Sequence, residues 1–530
     1  MVFQKSIFIF IFIKQNSPFH YIKMKLMKLL VRSLRPRGLA LLLIVLLAGV
    51  FSQCSSLKQI TILHTNDMHA SYLPHEAYWI RSTPKPLVGG FNELAFAVDS
   101  IRKTRNATIL LDGGDLMTGN PITDRQFMGA DGGALVEMMN LIGYEGWTPG
   151  NHDFDISYAN FLKLAGIAKF PVFTANLIDE KTGLPVTKKE YIIIEKNGLK
   201  IGIFGLMSEE YYNLVSQNSR KGVKLTPSIA AAKRMIELLR PQTDLLIALT
   251  HTGVDDDSVL AVSVKGLDVI IGGHSHTRLK KPKYINGVII AQTGSNAENL
   301  GVIDLTVENK TVTKWDGGLS QLWYHPDRKT VVTALVDSFN TEIKKEYDEV
   351  IGTLVSESGS QETEAGLGAF LASAQQEAAQ ADIGFMNNGG IRKRLSPGPI
   401  TKQDLFEVLP FRNILVKFPL TGKQVREIVQ HYIKSRAGIQ ISGIQCEWKK
   451  DAAGSVEILN MVVNGKAWDE DAGYTGAASD YLMGEAKRYL GIEPPPLTYL
   501  EQTVFGAVEK KVREMKNVEA KSDRHIIEVK

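Results

Sequence analysis

Histidine, aspartate and asparagine recur at the ends of short apolar runs. "TILHTNDMHA" closes on Asp67 and His69, "TILLDGGDLMTG" on Asp115, and "WTPGNHDFD" on Asn151, His152 and Asp155. "LIALTHTG" closes on His251, and "DVIIGGHSHT" on His274 and His276. Each alone has a plain structural use, because Asp, Asn and Gly build turns and cap helices. A turn does not need an imidazole between an amide and two carboxylates, and five such run ends together point to a reaction site. Oxygen and imidazole donors without thiolate suit Mn, Zn, Fe or Co rather than Ca. Two such ions about 3.5–4 Å apart can clamp a phosphoryl group and its attacking water. At that spacing the charges need a bridging carboxylate. Asp115, which follows two glycines that let the backbone approach closely, is the candidate.

Elements of definite kind must position these residues. The apolar runs "QITILH", "ATILL", "FPVFTA", "YIIIE", "KIGIFG", "DLLIALT", "LDVIIG" and "GVIIA" have the length and continuity of strands buried on both faces. "NELAFAVDSIRK", "GALVEMMNLI" and "PSIAAAKRMIELL" between them read as helices. The alternation predicts an α/β unit with stacked sheets, its ligands at the C-terminal strand edge where loops converge. Residues 330–351 carry a helical pattern with a charged surface and read as a connecting helix. Beyond it lies a second unit with helices in "AGLGAFLASAQQEAAQ" and "GKQVREIVQHYI" and strands in "ADIGFM" and "VEILNMVV". The predicted division is 1–54 signal, 55–329 catalytic domain, 330–352 linker helix and 353–530 second domain.

A chain of 530 residues is too long for one typical core, in keeping with two domains. Its 44% hydrophobic and 22% charged residues are those of a folded soluble protein, and no internal repeat is visible. The formal charge of +4 misleads, since eight of the 61 basic residues fall within residues 1–53, which hold no acid. The remainder has 53 basic against 57 acidic residues, which gives no basis for nucleic-acid binding. "MKLLVRSLRPRG" followed by "LALLLIVLLAGVF" is a basic and then an apolar region of signal-peptide length. Cys54 in "FSQCSS" has the place of a bacterial lipoprotein processing site. Phe51 and Gln53 stand where small residues are expected, so plain secretory cleavage stays open. The earlier patch "SIFIFIFI" precedes further methionines at Met24 and Met27 and reads as an over-extended frame. With Cys54 lipidated, Cys446 has no partner for a disulfide.

The motifs "ILHTNDMHA", "GGDLMTG", "GYEGWTPGNHDFD", "LTHTG" and "IIGGHSHT" resemble those of the calcineurin-like metallophosphoesterases. More narrowly they resemble the secreted 5'-nucleotidase and UDP-sugar hydrolase family. The resemblance implies a four-layer α/β/β/α catalytic sandwich plus a second α/β substrate-binding domain. It implies two divalent metal ions, one held by Asp67, His69, Asp115 and His276, the other by Asp115, Asn151, His251 and His274. It pairs Asp155 with His152, the protonated imidazole stabilising charge on the phosphoryl or leaving-group oxygens. In the second domain "DIGFMNNGGIR" and "FEVLPFRN" resemble the family's substrate segments, which puts Asn387, Arg392 and Phe411 on substrate, with Phe411 stacking on a base.

Two places depart from the pattern. Thr363 and Ala369 replace an expected Arg and Asn, and "ASDYLMGEAKRY" keeps an aromatic, Tyr481, without the glycine-rich turn that should follow. The implied activity is hydrolysis of nucleoside 5'-monophosphates to nucleoside and phosphate by an exported, periplasmic or lipid-anchored bacterial enzyme. The altered pocket leaves open a UDP-sugar or 2',3'-cyclic nucleotide phosphodiesterase, or a sulfur-ester hydrolase on the same fold. A ligand-binding surface lipoprotein is the reading outside enzymology.

Overall fold

A computed structural model describes residues 57–356, 366–435, 438–450, 454–520 and 525–529. The expected signal and anchor, Cys54 included, and Thr363 lie outside the described residues. Among those described, no helix is long and apolar enough to cross a membrane.

The N-terminal half is built on two sheets laid face to face. The first runs Thr311–Gln321, Asn299–Glu308, Lys58–Thr65, Thr108–Asp112, Gly146–Trp147 in spatial order, the last three parallel. The second runs Lys283–Ile285, Val288–Ala291, Val269–Ile271, Leu245–His251, Leu199–Met207, Tyr191–Lys196, with a parallel centre. Side chains of a strand alternate between faces, and here both faces are covered. Ile60, Ile62, Ile109 and Leu111 meet Ile201, Ile203, Ile247 and Leu249 between the sheets. Leu63 and Leu110 point outward to the helices Phe91–Arg102 and Gly133–Ile142. Leu246, Ala248, Phe204 and Leu206 point outward to Ser228–Leu239 and Val254–Ser263. The result is the α/β/β/α sandwich. Each of these large aliphatic side chains contributes about 1.5–3 kcal/mol by leaving water.

Three local differences from expectation have physical causes. "FPVFTA" forms a single bridge, Trp147 with Val172, rather than a strand. Pro171 has no N–H to offer a ladder; its carbonyl accepts from the Trp147 N–H, and the Phe173 N–H donates back to the Trp147 carbonyl. An unanticipated long hairpin, Asn299–Glu308 with Thr311–Gln321, closes the first sheet. Its turn residues Asn309 (φ 50°) and Lys310 (φ 62°) take the left-handed pair that suits a two-residue hairpin. The connecting helix spans only Thr333–Tyr347, because Val350 and Ile351 enter the strand Val350–Leu354. One face of that helix, Val336, Phe339 and Ile343, packs into the core of the N-terminal half. Tyr347 at its end meets Phe406 of the second domain with ring centroids 5.7 Å apart.

The second domain centres on a mixed sheet ordered Ile439–Ser442, Ile383–Asn387, Gly473–Ser479, Ile414–Thr421, Thr498–Thr503. Ile383 and Phe385 face Gly422–Ser435, while Met386 faces Leu367–Ala378 and Val504–Met515. Cys446 is a free, buried thiol in this domain, its pKa pushed up to about 11 by burial.

Candidate metal centre and active site

All seven expected ligands gather where the parallel strands end. Asp67 and His69 follow Lys58–Thr65, Asp115 follows Thr108–Asp112, and Asn151 follows Gly146–Trp147. His251 ends its own strand, and His274 and His276 follow Val269–Ile271. The backbone makes sharp departures here. Asp67 (φ 50°), His69 (φ 45°), Asp115 (φ 58°), His274 (φ 80°) and His276 (φ 52°) all sit in the left-handed region that favours glycine. Such conformations persist where the surroundings over-determine them.

Those surroundings are polar and saturated. The buried Asp153 carboxylate accepts from the backbone N–H of Gly150 (2.7 Å), Asp115 (3.1 Å), Leu116 (2.9 Å) and Met117 (3.1 Å), tying two ligand loops together. Gly150 has to be glycine, since a Cβ there would strike the Asp115 carboxylate. Asn66 donates to the Asp67 carboxylate (2.7 Å) and the Gly294 carbonyl (2.8 Å), and accepts from Thr293 N–H and hydroxyl, each at 2.8 Å. Asp257 takes the hydroxyls of Thr250 and Thr252, both at 2.7 Å, and so brackets His251.

The ligand atoms of Asp67, His69 and His276 lie within 4.8 Å of one another, as do those of Asp67, Asp115 and His251. Asp115 Oδ2 faces His251 Nε2 at 3.2 Å and His69 Nε2 at 3.9 Å, one imidazole from each expected ligand set. His276 Nε2 stands 3.6 Å from Asp67 Oδ1, and His274 Nδ1 stands 3.0 Å from Asn151 Oδ1. The chemistry of these donors fits a pair of cations. His251 Nδ1 lies 2.7 Å from the Gly113 carbonyl and donates to it, so Nε2 is the ring atom turned toward Asp115 and the one that can take either a proton or a cation. That atom is buried without a hydrogen-bond partner. Burial pulls the His251 pKa down, but Asp115 and then Asp67 outweigh burial and push it up to about 10. A proton there does for the carboxylates what a cation would. His69 is held well below the ordinary histidine range by burial and then Arg392, and His276 is lowered to about 3 for the same reasons. Both are neutral imidazoles, as ligands must be.

His152 stands beside this cluster. Its Nδ1 is 2.7 Å from Asp155 Oδ2, which also takes the Thr118 hydroxyl at 2.7 Å, and its own backbone N–H donates to Asp115 Oδ1 at 2.8 Å. Burial lowers the imidazole pKa, but Asp155 and Asp115 together raise it above the ordinary value. The ring faces His69 at 5.3 Å and Phe411 at 5.5 Å.

The second domain reaches the same edge. Arg392 extends its guanidinium to within 3.0 Å of His69 Nε2, and lies 5.9 Å from the Phe411 ring centroid. Glu407 accepts from Asn120 at 2.8 Å and Arg412 meets Asp124 at 2.6 Å, both across the domain boundary. A cleft of about 840 Å³, lined by His69, His276, Thr118, Asn388, Arg392 and Tyr78, runs between the two domains. The two other substrate candidates behave differently. Asn387 is buried at a strand end behind Gly390, its Oδ1 without a hydrogen-bond partner. Tyr481 rests against Tyr489, with centroids 6.4 Å apart. Sequence reasoning missed Asp153 as a loop clamp, although it lies inside the quoted "WTPGNHDFD". It also missed Glu210, whose Oε2 is 3.2 Å from His274 Nε2, and nothing in the sequence signals that contact.

Both halves of the chain are similar to known proteins. Residues 60–278 match the calcineurin-like phosphoesterase family and residues 347–490 match the 5'-nucleotidase C-terminal domain. The trifunctional nucleotide phosphoesterase protein YfkN of Bacillus subtilis is 30% identical over 443 residues, which is 73% of this chain and 29% of that much longer protein. A 5'-nucleotidase of Vibrio parahaemolyticus is 26% identical over 515 residues, covering 85% of this chain and 89% of its own length. Protein UshA of Escherichia coli is 27% identical over 458 residues, 75% and 80% of the two chains. The 5'-nucleotidase precursor from Thermus thermophilus shares the fold with a TM-score of 0.75 at 23% identity, over 89% of this chain and 99% of that one. Strand-end ligands, two-sheet core and matched domains together make the chain a metal-dependent phosphoester hydrolase, a calcineurin-like metallophosphoesterase that carries a 5'-nucleotidase C-terminal domain.

Proposed function

We propose that the chain hydrolyses nucleoside 5'-monophosphates to nucleoside and phosphate. One observation carries this reading: Arg392 and Phe411 of the second domain stand beside His69 and His152 of the first. A phosphate at the ligand cluster would have a guanidinium next to it and an aromatic face within reach of the base. Two divalent ions, held by Asp67, His69, Asp115 and His276 and by Asp115, Asn151, His251 and His274, would supply charge neutralisation and an acidified water. The protein's own groups do the rest. Arg392 binds the phosphoryl oxygens, and Phe411 stacks on the base. Protonated His152, oriented by Asp155, stabilises the charge that develops on the phosphoryl or leaving-group oxygen.

The domain division at 55–329, 330–352 and 353–530 belongs to the same reading, with Asn387 and Tyr481 as further substrate groups. Export, with Cys54 as a lipid anchor, is supported by the basic and apolar stretch before that residue. A mass spectrum of the N-terminal peptide decides between anchor and plain cleavage.

The test is phosphate release from AMP, UMP, UDP-glucose and β-glycerophosphate by the protein from residue 55 onward, with added Mn²⁺ and a His152→Ala control. Fast release from AMP or UMP, abolished by a chelator and by H152A, is expected. A second reading keeps the site and changes the substrate: the ring of Tyr481 meets Tyr489 with centroids 6.4 Å apart, and the sequence around it lacks the glycine-rich turn of the family pattern. Turnover of UDP-glucose, a 2',3'-cyclic nucleotide or a sulfur ester with none of AMP or UMP would establish that reading instead.

A further inference from the structure

His274 has two ring nitrogens with two different neighbours. Nδ1 faces Asn151 Oδ1 at 3.0 Å, inside the ligand cluster, while Nε2 meets Glu210 Oε2 at 3.2 Å outside it. A neutral imidazole donates from one nitrogen and keeps a lone pair on the other. A carboxylate can only accept. Glu210 therefore takes the Nε2 proton and leaves the Nδ1 lone pair facing Asn151 Oδ1, so that two acceptor atoms stand 3.0 Å apart, an arrangement that a cation bound by both would satisfy.

The backbone that presents Glu210 is fixed by the site itself. Leu199–Met207 runs parallel to Leu245–His251, and Met207 pairs in register with His251. The next residue, Ser208, donates its N–H to the His251 carbonyl at 2.9 Å, and its hydroxyl accepts the Glu210 N–H at 3.1 Å. Tyr211 follows fully buried, its ring 5.3 Å from Phe154 of the His152 loop. Glu210 is thus clamped between two loops that carry ligands, although its own side chain is half-exposed.

We infer that Glu210 is a positioning residue that orients His274 for metal binding and sets the affinity of one of the two ions. The inference rests on the two-metal reading above. Acceptors behind metal-bound histidines fix the tautomer and raise ligand basicity, and their loss typically weakens metal binding about 10–100-fold.

The experiment is Mn²⁺ binding to the chelator-stripped protein by equilibrium dialysis with elemental analysis, in wild type, Glu210→Ala, Glu210→Gln and Glu209→Ala. Glu209 accepts from Ser228 on the opposite side of the same loop and serves as the control for loop disturbance. Expected is a loss of about 10–100-fold for one ion in E210A, with the other ion retained. E210Q should stay closer to wild type than E210A does, because an amide oxygen still accepts from Nε2. E209A should bind as wild type does. Unchanged binding in E210A, or an equal loss in E209A, overturns the role given to Glu210. A wild type that takes up no Mn²⁺ at all overturns the metal reading instead, so the two failures are distinguishable.

Discussion

Asp153 offers a direct measure of what the ligand loops cost to hold. In Asp153→Asn the shape is kept, but one carboxylate oxygen becomes an NH₂. Oδ1 now accepts from Leu116 and Met117, and Oδ2 from Asp115 and Gly150. Whichever way the amide turns, two buried N–H groups lose their acceptor and face a donor. Each such group costs about 1–3 kcal/mol, so the variant should lose roughly 2–6 kcal/mol. That is a large fraction of the about 5–15 kcal/mol net stability of a typical domain. In thermal unfolding followed by circular dichroism the loss should appear as roughly 5–20 °C in Tm. Asp115 and Asn151 would shift with their loops, and a misplacement near 1 Å can cost about 10²-fold in turnover. A D153N protein that melts within the error of wild type and keeps its kcat/KM would refute the account of Asp153 as the clamp.

Two further outcomes follow from the same geometry. In the proposed reaction His152 works protonated; Asp155 and Asp115 hold its pKa above the ordinary value against burial, so activity should fall as pH rises through that raised pKa. Asp155→Asn removes the leading upward cause, so the alkaline limb of the kcat/KM profile should move to lower pH; a limb that stays in place contradicts the dyad. Phe411→Ala should raise KM for AMP or UMP by roughly 5–150-fold, the equivalent of about 1–3 kcal/mol of base stacking, and leave turnover of β-glycerophosphate near wild type. Equal losses on both substrates would place Phe411 in packing against His152 rather than on a base.

What could be read from sequence, and what could not, divides along lines of locality. The strands Lys58–Thr65, Leu199–Met207 and Leu245–His251 are continuous apolar runs because both faces are covered, so composition alone exposes them. The run at Phe170–Ala175 has the same composition, but Pro171 denies it a ladder. The hairpin at 299–321 alternates buried and partly exposed residues and carries polar and glycine residues on its outer strand, which hides it among loops. Val350 and Ile351 continue a helical pattern on paper, and only the partner strand at Gly398–Thr401 draws them away. The candidate metal ligands are legible by type and spacing. Asp153 and Glu210 do not, because their distant partners lie 36 to 64 residues away and one set of them is backbone. The second domain was readable in its motif positions but not in their geometry, since the tilt of Tyr481 toward Tyr489 is a packing outcome.

The left-handed backbone at Asp67, His69, Asp115, His274 and His276 sets the fold and the chemistry at odds. A side chain in that conformation costs about 1–2 kcal/mol per residue relative to the right-handed form, or roughly 5–10 kcal/mol over the five. Glycine at any of these positions would relieve its share and remove a candidate ligand in the same step. Selection for sturdiness alone would therefore drift toward glycine along this edge, and only selection for turnover holds the five side chains where they are. A lineage that no longer needed the reaction should lose these residues early and keep a protein that folds at least as well.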